Sequence, residues 1–426
     1  MPGLRPRNAG ALVAVAVLLA GCGGGDVSPS TTAPTSAAPV AGGSARVTLT
    51  VPAEFAQPPF DEPRAAVVPT GWTISVWARI PKARLAAWAP DGALLVSVPA
   101  DGSVRRLTAD DRDGVLLRGL EQPHGLAFAG STLYVAESNR VVAYDYTGGT
   151  ARAPRVVAAN LPDAKSPELR GAYSHALKSV AVGTDGAVYF SIGSTGNISA
   201  ADREATPPRA TIMRVPPGGG PAAPFATGVR NGTGLAVAPD GAVWTAVNNR
   251  DNIAFPDGPR RGQVDQSYVN DHPPESVARL TPGRELGWPY CNTDGGPANL
   301  PLIPDVQTNA DGSKLDCAAL PPIEQSMGAH SAPLGMAFAT LPGPLGRGAL
   351  IGVHGSWNRE PARAPEVSFY PWRDGGLGDQ QTLVGGFQAA DGSRWGRPVA
   401  AVAGPDGAVY VTDDYAGAVY RLAPPP

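Results

Sequence analysis

One phrase recurs along this chain: an apolar run, a Pro-Asp-Gly or similar turn, then a second run alternating apolar and polar positions. It is read at Leu85–Val98, Ser179–Ile192, Leu235–Val247 and Val402–Asp413, with looser copies starting at His124 and Leu334. Alternation with period two is the mark of a half-buried strand. Asp-Gly between two such runs predicts a hairpin, because a tight turn needs a positive φ that Gly adopts freely. Repetition on this scale predicts a repeat architecture. The spacing is uneven, about 40 to 100 residues, which fits radial blades with variable loops better than a strict array. Helical periodicity over ten or more residues is hard to find after residue 45. The 53 Gly and 46 Pro also argue for an all-β, turn-rich protein. The reading is a six-bladed β-propeller. A seventh blade within the poorly patterned stretch 255–330 is the competing expectation.

The start of the chain has a different character. Arg5 and Arg7 precede a short apolar run, Ala11–Ala20, too short to span a bilayer as a mature helix. The run ends in Leu18-Leu19-Ala20-Gly21-Cys22, which resembles a bacterial lipoprotein cleavage box. Residues 1–22 are therefore expected to be a signal peptide ending at a lipidated Cys22. Two or more acyl chains there would anchor the protein stably to the cell membrane, outside the cytoplasm. Residues 23–44 are Gly, Ser, Thr, Ala and Pro with hardly a charge. They are expected to be a flexible tether of roughly 25 Å r.m.s. reach. The propeller is expected over 45–426.

Composition narrows the partners. The net charge is −3, and removing Arg5 and Arg7 with the leader makes it about −5, which excludes a nucleic-acid partner drawn by bulk charge. With Cys22 lipidated, Cys291 and Cys317 remain. In an oxidising compartment they are expected to pair, closing a loop of about 27 residues worth roughly 3–4 kcal/mol in the chain-entropy picture.

A propeller gathers loops from every blade around one mouth, so chemistry is sought just before and after the repeated strands. His175 precedes the strand at Val180 and is a candidate general base. Arg230 and Asn231 precede the strand at Leu235. They offer a planar fork and a donor–acceptor pair for an anionic or carbonyl ligand. His354, Trp357 and Arg359 follow the strand at Ala349–Val353. Trp357 would be a flat apolar wall and Arg359 an anion contact. Arg397 precedes the last repeat. Asn249, Asp251, Asp271 and Glu275 supply oxygen ligands of the kind calcium takes.

In order, these pieces resemble the soluble quinoprotein sugar dehydrogenases, the sorbosone, aldose and soluble glucose dehydrogenase group. The matching pieces are His175 before its Asp-Gly hairpin, Ser191–Asn197, Arg230-Asn231, Gly287–Cys291, His354–Arg359, Arg397-Pro398 and Asp413-Asp414. The resemblance implies pyrroloquinoline quinone and calcium as cofactors, a sugar substrate and a separate, unidentified electron acceptor. It implies His175 as the base taking the hydroxyl proton and Arg230 with Asn231 on the quinone carbonyls. Arg359 and Arg397 would neutralise the cofactor's carboxylates, with His354 and Trp357 beside it. Calcium would be held partly by backbone carbonyls near Asn249–Asp251, and Gln122 would touch the substrate. Two rival readings stay open: a binding propeller that has lost its cofactor, and a calcium-dependent lactonase-type hydrolase. The lactonase needs more converging carboxylate or Asn ligands than this chain shows beside its arginines.

Overall fold

The computed structural model describes residues 37–426. The signal peptide, Cys22 and the first part of the expected tether lie outside the described residues. Six antiparallel sheets follow one another around a common axis. Their innermost strands are Ala86–Trp88, Gly125–Ala129, Val180–Val182, Gly234–Val237, Pro333–Leu341 and Pro398–Ala403, from blades 1 to 6. Each packs on the inner strand of the next blade, and blade 6 packs back on blade 1. Thr73–Arg79 closes the ring. It pairs with Ala418–Ala423 as the outer strand of blade 6, so the two ends of the domain are joined in one sheet.

The repeated phrase has a clear physical job. Gly92, Gly186, Gly241 and Gly407 turn the inner strand into the second strand with φ of +76° to +85°. The Asp before each Gly accepts a hydrogen bond from the backbone N–H two residues on, as Asp185 does from Ala187 at 2.9 Å. The same four carboxylates pair with an arginine on the third strand: Asp91 with Arg106, Asp185 with Arg214, Asp240 with Arg279 and Asp406 with Arg421. Each phrase thus ties three strands of its blade together at one end. Between blades the core is apolar. Trp77 and Tyr410 of blade 6 pack with Trp88, Leu94 and Val96 of blade 1, for example. Inner strands approach so closely that a Cβ on Gly125 would meet the backbone N of Val180 at 2.6 Å.

Two expectations need revision. Residues 255–330 hold no seventh blade. Pro274–Leu280, Ile323–Ala329 and Ala298–Leu300 complete blade 4, and Cys291–Thr293 pairs with Leu302–Pro304 in a small separate hairpin. Cys291 and Cys317 are disulfide-bonded with Cα atoms 5.8 Å apart, beside this hairpin. The segment 38–44 is not all tether: Ala38–Pro39 adds as a parallel strand to Gln381–Val384 of blade 5, and a strand begins at Ser44. Its small residues and Pro fit a sheet edge that needs few donors. Among the described residues no helix is long and apolar enough to cross a membrane.

Candidate active site

The Asp-Gly turns lie at one end of the blades. At the other end, inner strands begin and second strands finish, and their flanking residues surround a cavity of about 320 Å³. It is lined by Arg84 from the start of blade 1, His175 from blade 3 and Arg230 from blade 4. Asn248, Asn249, Asp251 and Glu275 of blade 4 continue the wall, and His330, His354, Trp357 and Arg397 close it.

His175 is set by its neighbours. Its Nδ1 lies 3.0 Å from the Ser194 carbonyl and 2.9 Å from the Ser194 hydroxyl. A carbonyl only accepts, and the Ser194 hydroxyl spends its hydrogen on the Gly196 carbonyl at 2.7 Å. Nδ1 therefore carries the proton and Nε2 presents a lone pair. Burial pushes the imidazole down to about 3, and the Arg230 charge adds to this. His175 is thus a neutral base. Gly193 behind it has no room for a side chain, since a Cβ would lie 2.6 Å from the His175 Cβ.

Arg230 is buried and almost fully paired. Nη1 donates to the carbonyls of Asn248 and Asn249 at 3.1 and 2.8 Å. Nη2 donates to Asn197 Oδ1 at 3.1 Å, and Nε approaches the Asn197 carbonyl at 3.4 Å. One Nη2 hydrogen is left without a protein acceptor among the described residues. Asn197 also clamps the next loop, accepting from the Asp251 N–H and donating to the Asp251 carbonyl, both at 2.8 Å. The segment Ser194–Asn197 therefore holds the base at one end and the cation at the other.

The opposite wall is a charged network. Asp414 accepts from Arg84 at 2.7 Å and lies 2.8 Å from His354 Nε2. These partners hold its carboxyl well below the usual range despite burial. Burial nonetheless keeps His354 below its ordinary value. Arg397 donates to the His354 and Gly355 carbonyls at 2.8 and 3.2 Å. Two buried polar atoms here have no partner among the described residues, Arg84 Nε and His124 Nε2. Deeper in blade 4, His330 meets Asp251 Oδ1 at 3.0 Å through Nδ1 and the Val269 carbonyl at 2.6 Å through Nε2. Two acceptors on two nitrogens favour the imidazolium, and His330 rises above its ordinary value although burial opposes it. Burial pushes the neighbouring Glu275 up to about 8, against the pull of the Asn249 N–H that it accepts.

Several expected site residues stand elsewhere. Arg359 pairs with Asp271 at 2.8 Å and donates to the Pro361 carbonyl, so both side chains brace one loop against another outside the cavity lining. The Asn249 amide is spent on the Pro274 carbonyl, Ser276 and Thr293, away from the cavity. Of the four expected calcium ligands, only Asp251 and Glu275 bring carboxylates to the cavity. Among the described residues no cluster of three or more His, Cys, Asp or Glu is placed to hold a metal ion. The backbone carbonyls of Asn248 and Asn249 each accept from Arg230. Gln122 is exposed and does not line the cavity. Asn231 packs behind His175 beside Gly193. Trp357 stands at the cavity edge, 73% exposed.

Arg84, Asp414, His330 and Asn248 were given no role by the sequence reading. Arg84 carried a usable signal: it sits immediately before the first repeat, as Arg397 sits before the last. His330 carried none, because blade 5 enters its inner strand through positive φ at His330 and Ala332, outside the repeated phrase.

Comparison with solved structures gives the same architecture. The PQQ domain of pyranose dehydrogenase from Coprinopsis cinerea, in its holo form, aligns over 88% of this chain and all of that one. The TM-score is 0.70 and the identity 19%. The calcium structure of a Trichoderma reesei carbohydrate-active enzyme of family AA12 aligns over 84% of this chain and 96% of that one, with TM-score 0.67 and 21% identity. The PQQ-bound form of aldose sugar dehydrogenase from Streptomyces coelicolor aligns over 84% and 99%, with TM-score 0.54 and 16% identity. At these identities the likeness establishes the fold. A curated relative, an uncharacterized protein of Borreliella burgdorferi, is 26% identical over 212 residues, covering 46% of this chain and 48% of that one. The chain thus spans about half the length of the curated relative it matches. The TrAA12-like family model matches residues 66–424, nearly the whole propeller, and the chain belongs to that family.

Proposed function

We propose that the protein is a quinoprotein oxidoreductase that oxidises an aldose or a related sugar alcohol or aldehyde, with pyrroloquinoline quinone as cofactor and His175 as general base. The observation that carries this reading is a neutral His175, its Nε2 lone pair free, beside Arg230 on one wall of the cavity. Alcohol oxidation needs a base for the hydroxyl proton, an acceptor for the hydride, and positive charge where negative charge develops. The site's donors suit a flat, polyanionic cofactor. Arg84, Arg230 and Arg397 converge on the cavity, and the buried Arg84 Nε has no partner among the described residues.

When bound, the quinone supplies the hydride acceptor. The chain's own residues do the rest. Arg84 and Arg397 hold anionic groups on one side of the cavity, with His354 and Trp357 beside them. Arg230, fixed by Asn197 and two carbonyls, points its remaining Nη2 hydrogen at developing negative charge. His175 Nε2 takes the hydroxyl proton as the hydride leaves carbon, and Ser194 keeps the ring in the tautomer that can do so. Among the described residues the side chains expected to bind calcium do not assemble a site for it. Electrons would pass on to a separate acceptor. Lipidation at Cys22 would keep the reaction outside the cell membrane.

The test is a titration of the purified protein with pyrroloquinoline quinone, with and without calcium, followed by dye reduction with a panel of aldoses. Saturable cofactor binding and sugar-driven reduction, lost in His175→Ala, support the reading. Absence of binding at micromolar cofactor leaves a binding propeller as the better account.

A further inference from the structure

The chain has four lysines, and three of them, Lys82, Lys165 and Lys314, are exposed. The fourth, Lys178, is 0% exposed, and nothing in the chemistry above uses it. A buried ammonium is costly unless it is paired and fully hydrogen-bonded, so its surroundings invite an explanation. Nζ donates to the carbonyls of Ala176 and Pro162, both at 2.8 Å. It also lies over the Tyr173 ring, 5.2 Å from the centroid. Among the described residues no carboxylate makes a direct ion pair with it.

The acceptors point to a purpose. Ala176 is the residue after the base. Tyr173 is two residues before it, and its hydroxyl donates to the Gly193 carbonyl at 2.9 Å. Gly193 is the residue against which the His175 Cβ packs. The Ser174 N–H donates to the Thr195 carbonyl at 3.0 Å. Residues 173–176 are thus bound on one side to the 193–195 segment that orients the imidazole. On the other side they are bound to Lys178, which ties them to Pro162 in the preceding inter-blade connection.

We propose that Lys178, in its charged form, is a positioning residue for His175: it braces the loop that carries the base, so that Nδ1 stays on Ser194 and Nε2 stays aimed into the cavity. This deepens the proposed function and rests on His175 being its base. Three N–H groups meet two carbonyls and a ring face. Losing one proton would turn a lone pair toward one of these electron-rich partners and weaken the brace. The charged groups around the amine pull in opposite directions. Asp163 favours the ammonium, Arg209 opposes it, and the fully buried His124 sits on the Lys178 backbone carbonyl rather than on Nζ. Burial outweighs the rest and pushes the amine down to about 7, so the brace can be released within an accessible pH range.

The experiment has one arm independent of catalysis. In protein with 15N-labelled histidine and no cofactor, the His175 resonances are assigned by their loss in His175→Ala. The expected wild-type result is a fixed Nδ1–H tautomer, and Lys178→Met should shift it toward an averaged signal. In the second arm, Lys178→Met should lower kcat about tenfold to a hundredfold, with sugar KM and cofactor affinity little changed. It should add less than about twofold in the His175→Ala background, because a residue acting only through the base has nothing further to lose. An unchanged tautomer in Lys178→Met, or an additive loss in the double variant, overturns the proposal. If Lys178→Met does not fold, the wild type decides. Raising the pH until the Lys178 amine, followed in the same titration, has deprotonated should average the His175 signal, and a signal still fixed once the amine is neutral overturns the brace. A wild type with no quinone-dependent activity would defeat the proposed function instead, and the tautomer arm would still report on Lys178.

Discussion

Two of the three histidines that line this cavity are tuned in opposite directions. His175 and His330 are both largely removed from water, and burial alone would neutralise each. The difference is what faces their nitrogens. His175 Nδ1 meets a carbonyl and a hydroxyl, both neutral, and the ring falls to about 3. His330 meets the Asp251 carboxylate on one nitrogen and the Val269 carbonyl on the other, and its ordinary value is raised. His175 therefore offers a lone pair, while His330 holds a positive charge against the Asp251 carboxylate. A partner at about 3 Å, rather than depth in the fold, decides which histidine can work as a base and which serves as structure.

The sharpest way to break this contrast is to remove each histidine in turn. His175→Ala should lower kcat for sugar oxidation by about 10²–10⁴-fold and leave cofactor affinity within a few-fold, as read by dye reduction and absorbance titration. A variant retaining near-wild-type turnover would move the base elsewhere, with His354 first in line. His330→Ala should instead act mainly through stability. Arg230→Met comes next. It removes the charge from the His175 wall, takes the Arg230 donor from the Asn248 and Asn249 carbonyls, and leaves Asn197 Oδ1 with only the Asp251 N–H. The expected loss is about 10²–10³-fold in kcat, accompanied by a lower unfolding midpoint.

Asp251→Asn sharpens the other side. Without the carboxylate, His330 should return toward neutrality. Urea denaturation near neutral pH should show a loss of about 1–3 kcal/mol, from weakening a charge-assisted bond in a buried site. The catalytic pH profile should move less than stability does. A separate effect lies in the pH dependence of folding. His175 and His124 both fall from about 6.5 when unfolded to about 3 when folded. The unfolded chain therefore binds more protons between these values, and stability should decline as pH falls from about 6.5 toward 3. His330 runs the other way. Its raised value contributes stability that is present in acid and lost as pH rises through its folded value above 6.5. Chemical denaturation across pH in wild type and His175→Ala separates the two, because the variant should lose part of the acid-side slope only.

How much of the site was legible follows from which residues the strands place. His175, Arg230, His354 and Arg397 flank repeated strands, and strand geometry delivers them to one end of the barrel whatever the loops do. Arg359 and Asp271 looked like a cofactor contact and a metal ligand by type. They satisfy one another instead, because two loops that meet outside the cavity bring opposite charges within 2.8 Å. Asn249 was placed correctly by its backbone and misread by its side chain, which turns toward the third strand of its blade. Gln122 sits at positive φ, exposed and outside the cavity lining.

The sequence by itself determined the repeat, and with it the hairpins, the end of each blade where the Asp-Gly turns lie, and hence the opposite end where chemistry could gather. Alternation and turn chemistry are local, so neighbouring residues suffice to specify them. The number of strands in blade 4, the closure of blade 6 by Thr73–Arg79 and the inclusion of Ala38–Pro39 in blade 5 were decided only by tertiary pairing. So were the protonation states of the site. Whether His175 is a base or His330 a cation depends on atoms contributed from 19 to 79 residues away, and the Lys178 brace reaches back to Pro162. The electrostatics of a buried group is set by those few nearest atoms, and no local pattern in the chain records them.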